Sequence, residues 1–319
     1  MTTIVETKEL TQRYGGTTAL SSLSLQIPQG AVYGFIGPNG AGKTTTMRIL
    51  TTLLLPSSGE AWVAGNSVVR DRAAVRRSVG FMPDFFGVYE AMKSWEYLDF
   101  FAASYDIPTA RRPKLIDDLL ALVDLSHKRD AEVMGLSRGM KQRLSLARTM
   151  LHDPALLILD EPASGLDPRA RVELRELLKE LRSMGKTIMI SSHILTELAE
   201  MSTHIGIIER GHLLASGDVA TIMRSLQPHR TFAVHLLSDL AEAADLARGA
   251  PHVLDVRLLP EGEPPQIEID VDGDDHAAGE LLARLVQGGA IVTHFAGQVN
   301  DLEDIFMRVT QGSAYGGTN

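Results

Sequence analysis

Apolar positions in the first two thirds of the chain follow two different spacings. Nearly continuous apolar runs at residues 31–36, 156–160, 187–191 and 205–209 lack polar alternation, so they read as strands buried on both faces. Between them, residues 169–184 place Val172, Leu174, Leu177, Leu178 and Leu181 at roughly helical spacing, and Gly185 stands where a C-terminal cap falls. Short buried strands alternating with amphipathic helices predict βαβ units and a mostly parallel sheet. Residues 4–13 and 23–27 read as strands of a smaller antiparallel sheet ahead of that core. From about residue 84 the pattern turns strand-poor and helix-rich, predicting a helical lobe over about 84–150.

A break falls at residues 227–230, where Pro228 follows the last helical pattern. Beyond it the chain reads strand 231–237, helix 239–248, strands 253–258 and 267–271, helix 277–286 and strand 291–295. That βαββαβ order is the ferredoxin-like arrangement, which hosts many unrelated functions and by itself names none. A last helix is expected over 301–309, with Leu302, Ile305, Phe306 and Val309 on one face. The organisation predicted is therefore a first domain over 1–227 and an accessory domain over 228–319.

Composition narrows the chemistry. The chain has 319 residues, 44% apolar and 22% charged, and no cysteine, so disulfides, thiolate nucleophiles and Cys-ligated metals are excluded. No run approaches the ~20 apolar residues of a membrane span, and residues 1–9 carry no basic stretch leading into an apolar block, so a cytoplasmic chain is expected. The net charge of -9 is concentrated at the end, because 15 of the 40 acids but only 5 of the 31 bases follow residue 228. An acidic tail disfavours nucleic acid as a partner, since such binding draws on Lys and Arg neutralising phosphates.

The sharpest signal is Gly37-Pro38-Asn39-Gly40-Ala41-Gly42-Lys43-Thr44 followed by Thr45, directly after the apolar run 31–36 and at the start of a helical pattern. This is a phosphate-binding loop: glycines let backbone N–H groups face a polyanion, and the helix N-terminus adds favourable partial charge. Lys43 is then placed to reach the β- and γ-phosphates of ATP, and Thr44 to ligate Mg2+. A second apolar strand, 156–159, ends in Asp160-Glu161. Asp160 at a strand's C-terminal end suits a further magnesium ligand, and Glu161 lies within reach of an attacking water. These pieces predict an α/β fold with a P-loop NTPase core, a small antiparallel β subdomain and a helical lobe, plus the C-terminal ferredoxin-like α+β domain.

Leu136-Ser137-Arg138-Gly139-Met140-Lys141-Gln142-Arg143 precedes the strand, Ser164-Gly165-Leu166-Asp167 follows Glu161-Pro162, and His193 comes after the run 187–191. With these in place, the first 225 or so residues resemble the ATP-binding subunits of ABC transporters, whose phosphate loop, signature segment, acidic strand end, D-loop and switch histidine run in this order. The resemblance implies an ATPase in which two copies sandwich two ATP molecules, Ser137 and Gly139 of one covering the γ-phosphate held by the other. It further implies that Tyr14 stacks on adenine, that His193 polarises the γ-phosphate or orients water as a catalytic partner of Glu161, and that Asp167 shapes the seam. Two positions depart from the commonest signature, Leu-Ser-Gly-Gly-Gln: Arg138 and Met140 replace its third and fifth residues. A third departure is Asp84, standing after Val79-Gly80-Phe81-Met82-Pro83 where the family usually has Gln; its shorter reach bears on contact with Mg2+.

Nine of the 17 aromatic residues are Phe81, Phe85, Phe86, Tyr89, Trp95, Tyr97, Phe100, Phe101 and Tyr105, a density that serves either a lobe core or a docking surface. In the family, the region around 85–105 receives a short helix of the membrane permease. The resemblance thus implies a homodimer held at the inner face of the cell membrane through that permease, and the ending Leu302-Glu303-Asp304-Ile305-Phe306 resembles subunits paired with ABC-2-type exporters, drug-efflux systems among them. The alternative is a soluble ABC ATPase acting on ribosomes or nucleic acid. Such relatives usually carry two such domains or a long coiled-coil insert, and neither is present here.

Overall fold

A computed structural model describes residues 2–84, 91–226, 230–260 and 265–298. The chain divides into two units, 1–222 and 223–319. In order, the first unit runs β1 (Thr3–Tyr14), β2 (Thr17–Pro28), β3 (Val32–Ile36), α1 (Lys43–Leu50), β4 (Ser58–Val63), β5 (Asn66–Ser67), α2 (Arg72–Ser78), β6 (Val79–Met82), α3 (Ser94–Ser104), α4 (Arg112–Leu122), α5 (Arg138–Met150), β7 (Leu156–Leu159), α6 (Pro168–Ser183), β8 (Thr187–Ser192), α7 (Leu195–Met201), β9 (His204–Glu209) and β10 (His212–Asp218), leading into α8 (Val219–Leu226). Two sheets result, an antiparallel one in the order β2-β1-β4-β5 and a six-stranded one in the order β10-β9-β3-β8-β7-β6.

In the six-stranded sheet, β9, β3, β8, β7 and β6 are parallel and β10 pairs antiparallel with β9. Every residue of β3, β7 and β8 is buried, which is why these strands read as unbroken apolar runs. Each fully buried Leu, Ile or Phe there contributes on the order of 1.5–3 kcal/mol over leaving it exposed. Parallel strands end on one side, so the segments after Ile36, Met82, Leu159 and Ser192 emerge together. That edge gathers the residues carrying chemistry. Strand β10 has no sequence forecast, because as an edge strand of partly exposed residues it carries neither alternation nor an apolar run.

In the helical lobe, Tyr97 is fully buried and meets Phe101 edge-on at 5.0 Å, whereas Phe100 and Tyr105 keep more than two fifths of their surface exposed. The aromatic cluster is thus divided between core and surface; Phe85, Phe86 and Tyr89 lie outside the described residues. Tyr105 stacks on His152 at 4.2 Å, and the imidazole Nε2 sits 3.0 Å from the Val79 carbonyl. Burial pushes the His152 pKa below its ordinary value, against a smaller opposing pull from the Val79 carbonyl. The folded chain therefore binds this proton less readily than the unfolded chain. Stability present above about pH 6.5 is lost as pH falls through the folded value. Melting curves between pH 8 and 5 are expected to fall less steeply with acid for His152→Phe than for the unaltered chain; equal slopes overturn this.

The second unit comprises β11 (Arg230–Leu236), α9 (Leu240–Arg248), β12 (Val253–Leu259), β13 (Gln266–Val271), α10 (Asp275–Gln287) and β14 (Val292–Gln298). Its sheet has the order β12-β13-β11-β14 with every neighbour antiparallel. Ile267, Ile269 and Val271 alternate onto one face and join Ala243, Ala244, Ala247 and Leu281 in a separate core. Asp274 caps α10, accepting from the Ala277 and His276 N–H groups, which hold its carboxyl below the usual range. The expected helix 301–309 and residues 227–229 of the expected break at 227–230 fall outside the described residues. Among the described residues no helix is long and apolar enough to cross a membrane.

Candidate active site

The loop 37–42 connects β3 to α1 and frames a cavity of about 340 Å³ lined by Pro38, Asn39, Gly40, Ala41, Gly42, Lys43, Thr44 and Thr45 together with Ala19, Asp84, Asp160 and Glu161. Gly42 caps the helix at φ 111°, and a Cβ there would lie 2.6 Å from Leu20 Cδ2 and 2.8 Å from the Ala19 carbonyl oxygen. Only glycine satisfies both the torsion and the space. The loop thereby delivers Lys43 inward: its Nζ donates to the Gly37 carbonyl at 2.6 Å and the Pro38 carbonyl at 3.3 Å, and stands 3.5 Å from Glu161 Oε1. Lys43 is buried and lines the cavity.

Asp160 is held between two hydroxyls. Thr44 Oγ1 donates to its Oδ2 at 2.8 Å and Ser191 Oγ to its Oδ1 at 2.5 Å, while Ser191 Oγ also accepts the Glu161 N–H at 2.9 Å. Glu161 itself has a left-handed backbone, φ 49°, a conformation costing a side-chain-bearing residue on the order of 1–3 kcal/mol and persisting where surroundings enforce it. The Ser191 bond is part of that enforcement. His193 Nδ1 lies 3.0 Å from Glu161 Oε2, so the carboxylate sits between an ammonium and an imidazole.

Sequence reasoning brings Lys43, Thr44, Asp160, Glu161 and His193 to one site, and Asp84 lines the same cavity. Sequence reasoning misses Ser191 as a site residue: it ends a predicted strand, but local spacing does not show that this strand lies beside β7. Tyr14 ends β1 nearly half exposed, and it does not line this cavity. Asp167 caps α6, accepting the Ala170 N–H at 2.8 Å. Ser137 caps α5 by accepting the Met140 N–H at 3.2 Å, a bond that leaves its own hydroxyl proton uncommitted. Ser137, Gly139 and Asp167 line a second cavity, about 180 Å³, that shares no residue with the phosphate loop's.

The residues fit a nucleotide with Mg2+. A glycine-framed cavity with a buried ammonium suits a polyphosphate, and a hydroxyl beside a carboxylate is the hard oxygen set that Mg2+ takes.

Residues 20–164 match the family model described as ABC transporter. The chain is 34% identical over 99% of its length, and all of the relative's, to the bacitracin transport ATP-binding protein BcrA of Bacillus licheniformis. It is 32% identical, over 97% of itself and 88% of the relative, to the Nod factor export ATP-binding protein I of Rhizobium meliloti. The daunorubicin/doxorubicin resistance ATP-binding protein DrrA of Streptomyces peucetius is 31% identical over 97% of this chain and 93% of its own. Among solved structures, cbiO1 of Clostridium perfringens, part of the ABC transporter complex cbiONQ, superposes with a TM-score of 0.64 at 28% identity over 71% of this chain and 95% of that one.

Proposed function

The chain belongs to the ABC transporter family as an ATP-binding subunit, and from that premise we propose that it hydrolyses ATP to drive a separate export permease, working as a homodimer at the membrane's inner face. The observation that carries the reading is Glu161 set between Lys43 and His193 beside the Thr44–Asp160 pair. Lys43 binds the β- and γ-phosphates, leaving Glu161 free to accept the proton of an attacking water. His193 orients that carboxylate and the γ-phosphate. The Thr44 hydroxyl and the Asp160 carboxylate would hold Mg2+, with Asp84 as a further candidate, and the ion would supply charge neutralisation on the phosphate oxygens. Catalysis on this reading is positioning plus electrostatics, as phosphoryl transfer requires.

The separation of the two cavities supports completion of each site by a second copy, Ser137 and Gly139 of one chain meeting the phosphates held by the other, with Asp167 at the seam. Tyr14, exposed at the end of β1, is free to stack on adenine. The exposed aromatics Phe100 and Tyr105 suit the permease's docking segment around 85–105. Export is favoured because relatives named for bacitracin transport, Nod factor export and drug resistance match nearly the entire chain, second unit included. The accessory domain expected over 228–319 is assigned a regulatory or dimer-steadying role with no part in the ATP chemistry.

Purification of the tagged chain from a detergent extract of its host tests the partner. An integral membrane protein is expected to co-purify; ribosomal material in its place overturns the reading. In the same preparation Lys43→Ala is expected to weaken ATP binding by about ten- to a hundredfold, the worth of one charge-assisted contact. Unchanged affinity overturns the role of Lys43.

A further inference from the structure

We propose that Arg138, at the first position of α5, is a positioning residue that fixes the segment 162–167 and through it the carboxylate of Glu161. The proposal rests on the ATPase reading above. The guanidinium lies directly on Gly165: a Cβ built there would stand 2.5 Å from Arg138 Cζ and Nη1 and 2.8 Å from Nη2. Arg138 thus occupies the place a side chain at 165 would take. Gly165 also has φ 66°, a torsion that favours glycine.

Charge is not what holds Arg138 in this position. Arg143 and Arg169 line the same cavity and both pair with Glu173, at 3.8 and 3.1 Å, whereas no ion pair of Arg138 occurs among the described residues. Its flat face covers the backbone instead. One helical turn on, buried Gln142 donates from Nε2 to the Pro162 carbonyl at 2.8 Å. Residues four apart share a helix face, so α5 grips this segment at two points, 162 and 165.

Both points lie within four residues of Glu161, whose left-handed backbone persists only while its surroundings over-determine it. Between them the segment turns on itself, Ser164 N–H donating to the Glu161 carbonyl at 3.0 Å and Leu166 N–H to that of Ala163 at 3.2 Å. Removing the grip at 165 leaves the hold at 162 and frees the turn to move. Lys43 and Thr44, anchored on the loop and α1, are untouched. The consequence is a loss in the chemical step with nucleotide binding intact.

Steady-state ATPase assays and amide hydrogen exchange on the full chain test this. Arg138→Gly is expected to lower kcat about tenfold with KM for ATP within about twofold, since small misplacements of a catalytic group act on the chemical step. Exchange at residues 162–167 should quicken roughly tenfold while that of α1 stays as it was. Arg138→Lys, which keeps the charge but lacks the planar face, should fall between the two. Gly165→Ala, which displaces the guanidinium, should lower kcat too, and the double variant should be no worse than the poorer single, because both remove one contact. Unchanged kcat and exchange in Arg138→Gly, a rise in KM in place of the fall in kcat, or losses that multiply in the double variant each overturn the proposal. Failure of the ATPase reading shows separately, as an absence of turnover in the unaltered chain, and the exchange measurement needs no turnover.

Discussion

The Glu161→Gln chain is expected to lose ATP turnover by about a hundredfold or more while still binding MgATP. Glutamine keeps the shape of the side chain, so the hydrogen bond of its N–H to Ser191 Oγ and the turn that follows remain. What it loses is the capacity to accept a proton from water. It also loses its charge, and with it the 3.5 Å ion pair to Lys43. ATP binding to the unaltered chain must draw Lys43 away from that carboxylate. In the variant the ammonium is already released, so affinity should be equal or higher. Phosphate release and equilibrium binding of a fluorescent ATP analogue, measured on one preparation, separate the two effects. Retained turnover would falsify the assignment of Glu161; lost turnover together with lost binding would show that its role is to hold Lys43 and not to activate water.

The sequence makes some of this site legible and hides the rest, for reasons that differ by residue. Lys43, Thr44, Asp160 and Glu161 stand out because local pattern and tertiary role coincide: each directly follows a buried apolar strand or a glycine loop, so the motif also fixes the place in the fold. Ser191 is hidden. Its hydroxyl matters only because β8 lies between β3 and β7, and strand order is not written in any local spacing. The grip of Arg138 on Gly165 is hidden for the same reason, since 27 residues of chain separate the two partners. The strand β2 starts at Thr17, well before the apolar run that marks it, and this part is hidden because Thr18, Ser21 and Ser22 break the pattern with polar side chains while the backbone still pairs with β1. In the second unit the alternation of Ile267, Ile269 and Val271 is read easily, because one face of that sheet meets helices and period two survives.

Mixing two dead variants is expected to restore activity if the sites are completed in trans. Ser137→Arg spoils the signature segment but leaves the phosphate loop whole; Lys43→Ala does the reverse. Either homodimer has two defective sites. A mixed dimer joins the loop of the first chain to the signature segment of the second, giving one intact site and one doubly defective one. With equal mixing and random pairing, half of the dimers are mixed, so about a quarter of the sites work, by the isologous geometry of a two-fold dimer. A recovery near that fraction at equal mixing is the expected result, with total activity rising as one variant is added in excess to a fixed amount of the other. The substitution at 137 sits on an exposed helix cap and costs about 1 kcal/mol in lost capping, too little to unfold the chain. If cross-linking shows mixed dimers forming and the mixture stays as inactive as its components, Ser137 and Lys43 serve the same site within one chain, and the division of the two cavities has another meaning.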